Sequence, residues 1–348
     1  MKGYIYILLS VIFMGCNPNK KMENRLLITH QKVNIQNEFI GKSGPIIFID
    51  NKIIGIDYLL DSCFFYVDTK SDSLFRFGIR GQGPNEFIYP YTLQAIDEHH
   101  FCTYDLNSRA VIQFEVNDHI DMQEKKIVSK NIMSFDCKKI DQNSYLGFGP
   151  YKEGMFIITD SLGGIRKSFF EYPYKNKDEK SIKNYLRSMA YQGIVNFNPA
   201  GNKFVYTPTW GDIIHIYEIS NDSIEVITKI ENTYPMYKVE ENNGAFGAPL
   251  RRSNIANYIS SAVTNNYIYL LYSGSKLEDY IKTKKEFQGN TIYVYDWTGE
   301  KISTLTLDIS CKSICVSLND ETLWAITDNP DPELVLFDLT NKFTKQTN

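Results

Sequence analysis

The chain has 348 residues, with 37 Lys and Arg against 41 Asp and Glu, a formal charge of −4 at pH 7. That mild acidity argues against a nucleic-acid surface or a polybasic membrane patch. With 24 Tyr and 21 Phe the chain is rich in aromatics, whose first expected use is packing between sheets.

In chain order, residues 1–15 carry one positive charge at Lys2 and then an uncharged run, "YIYILLSVIFM", ending at Gly15-Cys16. The run is too short for a permanent spanning helix and fits the apolar part of a signal peptide. A small residue before a Cys directly after it resembles the lipobox of bacterial lipoproteins, although Phe13 and Met14 depart from the usual residues. The resemblance implies cleavage before Cys16 and a lipid on its sulfur, so that the membrane is met through the anchor alone. Residues 16–25 read as a polar tether and 26–348 as the folded domain. No later run is apolar for long enough to span a bilayer. The remaining cysteines, Cys63, Cys102, Cys137, Cys311 and Cys315, are odd in number and irregularly spaced, unlike a disulfide framework. On one strand Cys311 and Cys315 would lie roughly 13 Å apart, beyond bridging distance.

Six segments align on their polar turns: 51–78, 98–125, 142–170, 201–229, 265–307 and 320–345. Each holds three alternating runs of Ile, Val, Phe and Tyr, and each follows another short apolar run such as "PIIFID" or "KSICVSL". Period-2 alternation between Asn, Asp and Gly turns marks these runs as strands. Four antiparallel strands repeated six times predict an all-β, six-bladed β-propeller. Residues 26–40, "LLITHQKVNIQNEFI", belong to no repeat; they are expected to pair with the last blade and close the ring.

With strands lettered A to D outward from the axis, all A–B and C–D turns are short. The insertions at 79–91, 171–192, 231–256 and 274–289 all fall in D–A or B–C connections, which share the opposite face. Insertions on one face of a repeat fold mark its working surface. Helical spacing of Ile182, Leu186 and Met189 suggests a short helix there, with Ser181 as its N-cap, and 276–287 suggests another.

The stretch "GIRGQGPNEF" lies in the first such connection and lacks the Lys-Ser/Thr of a phosphate-binding loop. Its core, G-x-G-P-x-E-F-x-x-P at 81–90, resembles the G-(R/Q)-G-P-G-E-F motif of TolB-like or NHL-like six-bladed propeller lipoproteins of Bacteroidetes. Asn85 stands where that motif has Gly. The likeness implies a fold and an envelope location but no assigned chemistry. Arg80 and Glu86 are expected to form a local ion pair or backbone hydrogen bonds.

No metal-ligand spacing is visible among His30, His99, His100, His119 and His215, and no nucleophile elbow is present; no cofactor is expected. Related propellers include metal-dependent lactonases and lyases centred on the axial channel, which keeps a hydrolase or lyase as the second reading. The first reading is a monomeric, envelope-located binding or scaffold module whose long-loop face engages a protein or glycan. Its candidate residues are Arg80, Glu86, Arg187, Tyr191, Trp210, Tyr237, Arg251 and Arg252, since aromatics with Arg dominate binding hot spots. A periplasm-facing outer-membrane anchor is expected, because no acidic run follows Cys16. "DSL" at 72–74 and 160–162 and "DSI" at 222–224 resemble an O-glycosylation acceptor, and Asp-Ser also simply favours turns.

Overall fold

Runs of alternating β-branched and aromatic residues become six four-stranded antiparallel sheets in the computed structural model. It describes residues 25–35, 38–127, 133–220, 222–242, 245–328 and 330–343. The expected signal segment, Cys16 and all but the last residue of the tether lie outside these residues. Blade 1 comprises Ser43–Ile49, Lys52–Asp57, Ser62–Asp68 and Ser73–Ile79; blade 2 comprises Pro90–Ala95, His100–Asp105, Ala110–Val116 and Ile120–Ile127. Blade 3 holds Asp136–Lys139, Ser144–Phe148, Phe156–Asp160 and Ile165–Phe169, and blade 4 holds Gly193–Phe197, Lys203–Pro208, Asp212–Ser220 and Ser223–Thr233.

Blades 5 and 6 share a strand. Lys301–Val316 pairs through Lys301–Thr306 with Gly289–Asp296 at the outer edge of blade 5. Past a register break it pairs through Cys311–Val316 with Thr322–Asp328 at the inner edge of blade 6. Tyr258–Val263 and Tyr267–Tyr272 complete blade 5, and Pro332–Asp338 is the third strand of blade 6. The fourth comes from the start of the chain, where His30–Lys32 lies antiparallel to Val335–Phe337. The expected closure therefore exists. A second N-terminal strand, Arg25–Ile28, runs parallel to Thr304–Leu307 and adds a further edge to blade 5.

A single sheet cannot bury both faces, so the core is divided among the interfaces between blades. Six apolar clusters are found, one at each interface. Phe64, Phe101 and Phe114 join blades 1 and 2, and Phe156, Phe204 and Tyr217 join blades 3 and 4. Ile214 and Leu270 join blades 4 and 5, and Leu305 and Ile314 belong to the cluster of blades 5 and 6. Val33, Ile40, Phe65 and Trp324 fill the seam between blades 6 and 1. Among the described residues, the apolar cluster between blades 2 and 3 is formed by Cys102, Tyr104, Val111, Cys137 and Tyr145. All five described cysteines are free and buried, acting as small apolar residues, and burial raises their thiol pKa values.

The insertion after blade 3 is not one helix. Lys177–Lys180 is capped by the Asn176 side chain, which accepts from the Glu179 amide at 3.0 Å, and Ser181 ends this turn instead of starting one. A second turn, Asn184–Arg187, follows and runs into a 3-10 turn at Ser188–Ala190. The spacing of Ile182, Leu186 and Met189 does not show the break, which comes from Asn176 capping one turn earlier than Ser181. In the insertion of blade 5, Leu277–Thr283 is helical as expected.

Candidate functional site

The first insertion turns out to be a structural clip. Gly81 and Gly83 are needed for room: a Cβ on Gly81 would overlap the Glu86 carboxylate, and one on Gly83 would come within 2.9 Å of it. That carboxylate accepts the Gly83 amide at 2.7 Å, and the Lys125 ammonium donates to the Glu86 carbonyl at 3.2 Å. The Arg80 guanidinium donates to the carbonyls of Asp57 at 2.8 Å and Leu60 at 3.4 Å. Of the two expected arrangements, then, both residues adopt backbone hydrogen bonds. The loop drives Phe87 into the seam of blades 1 and 2, edge-on to Phe64 at 5.1 Å.

Three further candidates hold the lid down instead of facing outward. Arg187 is 1 % exposed and Tyr191 is fully buried, which corrects their expected place on the open surface. Arg187 pairs with Glu171 at 3.0 Å and lies over the Tyr174 ring. The hydroxyls of Tyr191 and Tyr237 both donate to Glu179 Oε1 at 2.7 Å. Below them His215 donates from Nε2 to Glu231 at 2.7 Å and accepts from the Tyr217 hydroxyl at 3.0 Å. Arg251 and Arg252 are exposed in the connection entering blade 5.

What the long-loop face builds is a mouth on the axial channel, a cavity of about 380 Å³ lined by Tyr58, Tyr91, Thr209, Phe287, Glu286 and Lys312 among others. Of its lining rings, Tyr58 and Tyr91 are linked through Tyr89, which stacks on them at 5.6 Å and 6.1 Å without lining the cavity itself. Phe287 projects from the B–C insertion of blade 5, edge-on to Trp210 at 5.5 Å and against Tyr280 at 5.6 Å. Trp210 thus supports the ring that lines the cavity without being a lining residue itself. Burial together with the neighbouring phenols pushes the Tyr58 pKa far up, and burial raises that of Tyr91; both remain neutral hydroxyl donors.

Charge stands beside these rings, the Tyr58 amide donating to the Lys42 carbonyl at 2.8 Å. Glu286 pairs with Lys42 at 2.9 Å and with Lys312 at 3.4 Å, and Lys312 reaches Asp328 at 3.5 Å. Its hydrogen bond to Glu286 raises the pKa of Lys42. Deeper in, Asp136 holds Lys138 at 3.2 Å and accepts from the Thr92 hydroxyl at 2.7 Å, a satisfied pair of structural character. The buried Ser313 hydroxyl beside Lys312 has no hydrogen-bond partner among the described residues. Sequence reasoning missed Tyr58, Tyr91, Phe287, Glu286 and Lys312. Tyr91 ends one of the insertions it singled out, and Glu286 and Phe287 lie within another. Lys312 lies in the inner run "KSICVSL" but gave no signal, because its partner Glu286 comes from the insertion of the neighbouring blade.

Among the described residues, no three His, Cys, Asp or Glu side chains come together in a way that could hold a metal ion. No described helix is long and apolar enough to cross a membrane. A second cavity of about 500 Å³ opens at the short-turn end of the channel. The two meet at Asn196 and Ser261, which line both and are tied by a 2.6 Å hydrogen bond from Asn196 Nδ2 to Ser261 Oγ.

Solved structures share this architecture at low identity. A Bacteroides fragilis protein named as exported superposes with a TM-score of 0.53 at 13% identity, covering 90% of this chain and 98% of its own. A calcium-binding regucalcin of Agrobacterium tumefaciens gives 0.49 at 10% identity, covering 90% and 95%. No curated protein matches the chain. The model of the TolB-like 6-blade propeller-like family matches residues 50–319, a span from the first blade into the last. The chain belongs to that family.

Proposed function

We propose that this protein is an exported binding module, held at the envelope by a lipid on Cys16, whose long-loop mouth takes a glycan. The observation that carries the reading is the mouth itself: a cavity of about 380 Å³ lined by the rings of Tyr58, Tyr91 and Phe287 together with the Glu286–Lys312 pair. Ring faces stack on the apolar faces of sugars, while phenol, ammonium and carboxylate groups exchange hydrogen bonds with hydroxyls. Support for export comes from the apolar segment ending at Gly15-Cys16 and from the exported Bacteroides fragilis protein of the same fold. The lack of an acidic run after Cys16 favours an outer-membrane anchor facing the periplasm.

Oligosaccharides released from bacterial envelopes, titrated calorimetrically, test the reading. Wild type should bind at least one fraction, and Tyr91→Ala and Phe287→Ala should each weaken it about tenfold, the loss of one stacking partner. Retention of an envelope protein through this mouth with no sugar bound would replace the glycan by a protein partner. Binding unaffected by either substitution would remove the site. Incorporation of labelled fatty acid into wild type but not into Cys16→Ala checks the anchor.

A further inference from the structure

The short-turn end of the channel differs in chemistry from the mouth above. Its cavity of about 500 Å³ has largely apolar walls, supplied by inner-strand residues such as Ile47, Ile49, Leu93, Ala95, Val263 and Val316, with Gln94, Asn196 and Ser261 as the polar groups inside. Its rim carries three carboxylates, Asp50, Asp97 and Glu98, beside His99, and among the described residues no lysine or arginine lines it. Two of these are engaged: Asp50 lies 3.5 Å from the Lys52 ammonium, and Asp97 2.9 Å from His100 Nδ1. Glu98 is exposed and has no hydrogen-bond or ion-pair partner among the described residues.

The rim is built rigidly. Asp50 and Asn51 have φ of 43° and 56°, the pair of positive values that makes a tight two-residue hairpin turn. Asp97 accepts the His99 amide at 2.8 Å, and Asn265 accepts the Ala200 amide at 3.1 Å, bridging blades 4 and 5. A pre-formed apolar funnel with a few polar groups at its edge is the usual form of a small-molecule site. The sign of the edge chooses the ligand. An anion entering would meet carboxylates, and an uncharged apolar molecule would leave Glu98 unused.

We infer that this end is a second ligand site, which takes a small amphipathic cation: a hydrocarbon or aromatic body in the funnel, with one ammonium group at Glu98 and its neighbouring carboxylates. The site is independent of the glycan reading, since it uses none of the rings of the upper mouth.

Calorimetric titration of the full chain with n-octylammonium, kept below its micelle concentration, tests this against n-octanoate of the same chain length. One octylammonium should bind per chain, with octanoate at least tenfold weaker. Glu98→Gln, an exposed and conservative change, should weaken octylammonium severalfold. Leu318→Trp, at a rim position 46% exposed, should block the funnel and abolish binding while the fold persists by circular dichroism. Phe287→Ala, at the opposite end, should leave binding unchanged. Equal affinity for octanoate, or full binding by Leu318→Trp, would overturn the inference; should Leu318→Trp fail to fold, Val263→Phe supplies the same block from the wall.

Discussion

His215 shows how a buried side chain sets a pH dependence. It is 1% exposed, and burial lowers its pKa despite the neighbouring Glu231, so the ring is neutral, with its proton on Nε2 facing the carboxylate. The hydrogen bond from His215 in turn lowers the pKa of Glu231. A histidine whose folded value lies below its unfolded one, about 6.5, contributes its full stability above that value. As pH falls below about 6.5, the unfolded chain binds a proton that the folded chain refuses, and stability declines. Glu231 adds a second loss at lower pH, as the solution passes through its depressed folded value. The urea midpoint should therefore drop between pH 7 and pH 5 in wild type, and His215→Gln should flatten that part of the curve. An equal slope in both proteins would show that His215 does not set this pH dependence.

Between residue and fold stand the insertions, and each is fastened differently. The clip of blade 1 is fastened by backbone hydrogen bonds and by Phe87, while the lid after blade 3 hangs on Glu179, shared by Tyr191 and Tyr237. The blade 5 insertion crosses toward the axis and is clasped by Glu286 between Lys42 and Lys312. Lys42 is largely exposed, so its pair with Glu286 contributes little; Lys312 is 6% exposed at the side chain, and its pairing matters more. Glu286→Gln should let this insertion open more often, because Lys312 then retains only Asp328. Limited trypsin digestion should cut at Lys282, Lys284 or Lys285 severalfold faster in the variant, with cleavage elsewhere unchanged. An unchanged rate would mean that Phe287, packed between Trp210 and Tyr280, holds the loop alone.

For the molecule as a whole, closure decides stability, because six interfaces share the core and none lies at the centre. Residues 25–40 supply the outer strand of blade 6, an added edge on blade 5, and the buried side chains Ile28, Val33 and Ile40. Burying each such side chain contributes roughly 1.5–3 kcal/mol, so together they rival the typical domain stability of about 5–15 kcal/mol. Deletion of 25–40 should abolish cooperative unfolding or lower the melting temperature by well over ten degrees; an unchanged melting curve would show that the ring does not depend on this strand. The surface pairs of the same segment, Lys32–Glu333 and His30–Asp308, add little by comparison.

The blade count, the closing segment and the face bearing the insertions were all legible in the chain itself. Alternation such as that of "IQFEV" at 112–116 and the short polar turns are local properties, imposed by a backbone that points successive side chains to opposite faces. The motif at 81–90 was legible as a turn, but not as a clip that seats Phe87, since the space around Gly81 is defined by a side chain five residues on. Arg187, Tyr191 and Trp210 were recognised by residue type. Whether they face solvent, pack under a lid or back another ring depends on neighbours more than 40 residues away in the cases of Tyr191–Tyr237 and Trp210–Phe287, or on how a helical turn docks in the case of Arg187. The cavities at both ends of the channel exist only because six inner strands converge on one axis. Lys312 meets Glu286, and Asp50, Asp97 and Glu98 share one rim, only because neighbouring blades stack around an axis. Local pattern specifies strands, because pleating is a property of adjacent residues; a site on the axis is a property of the ring, and only the tertiary structure decides it.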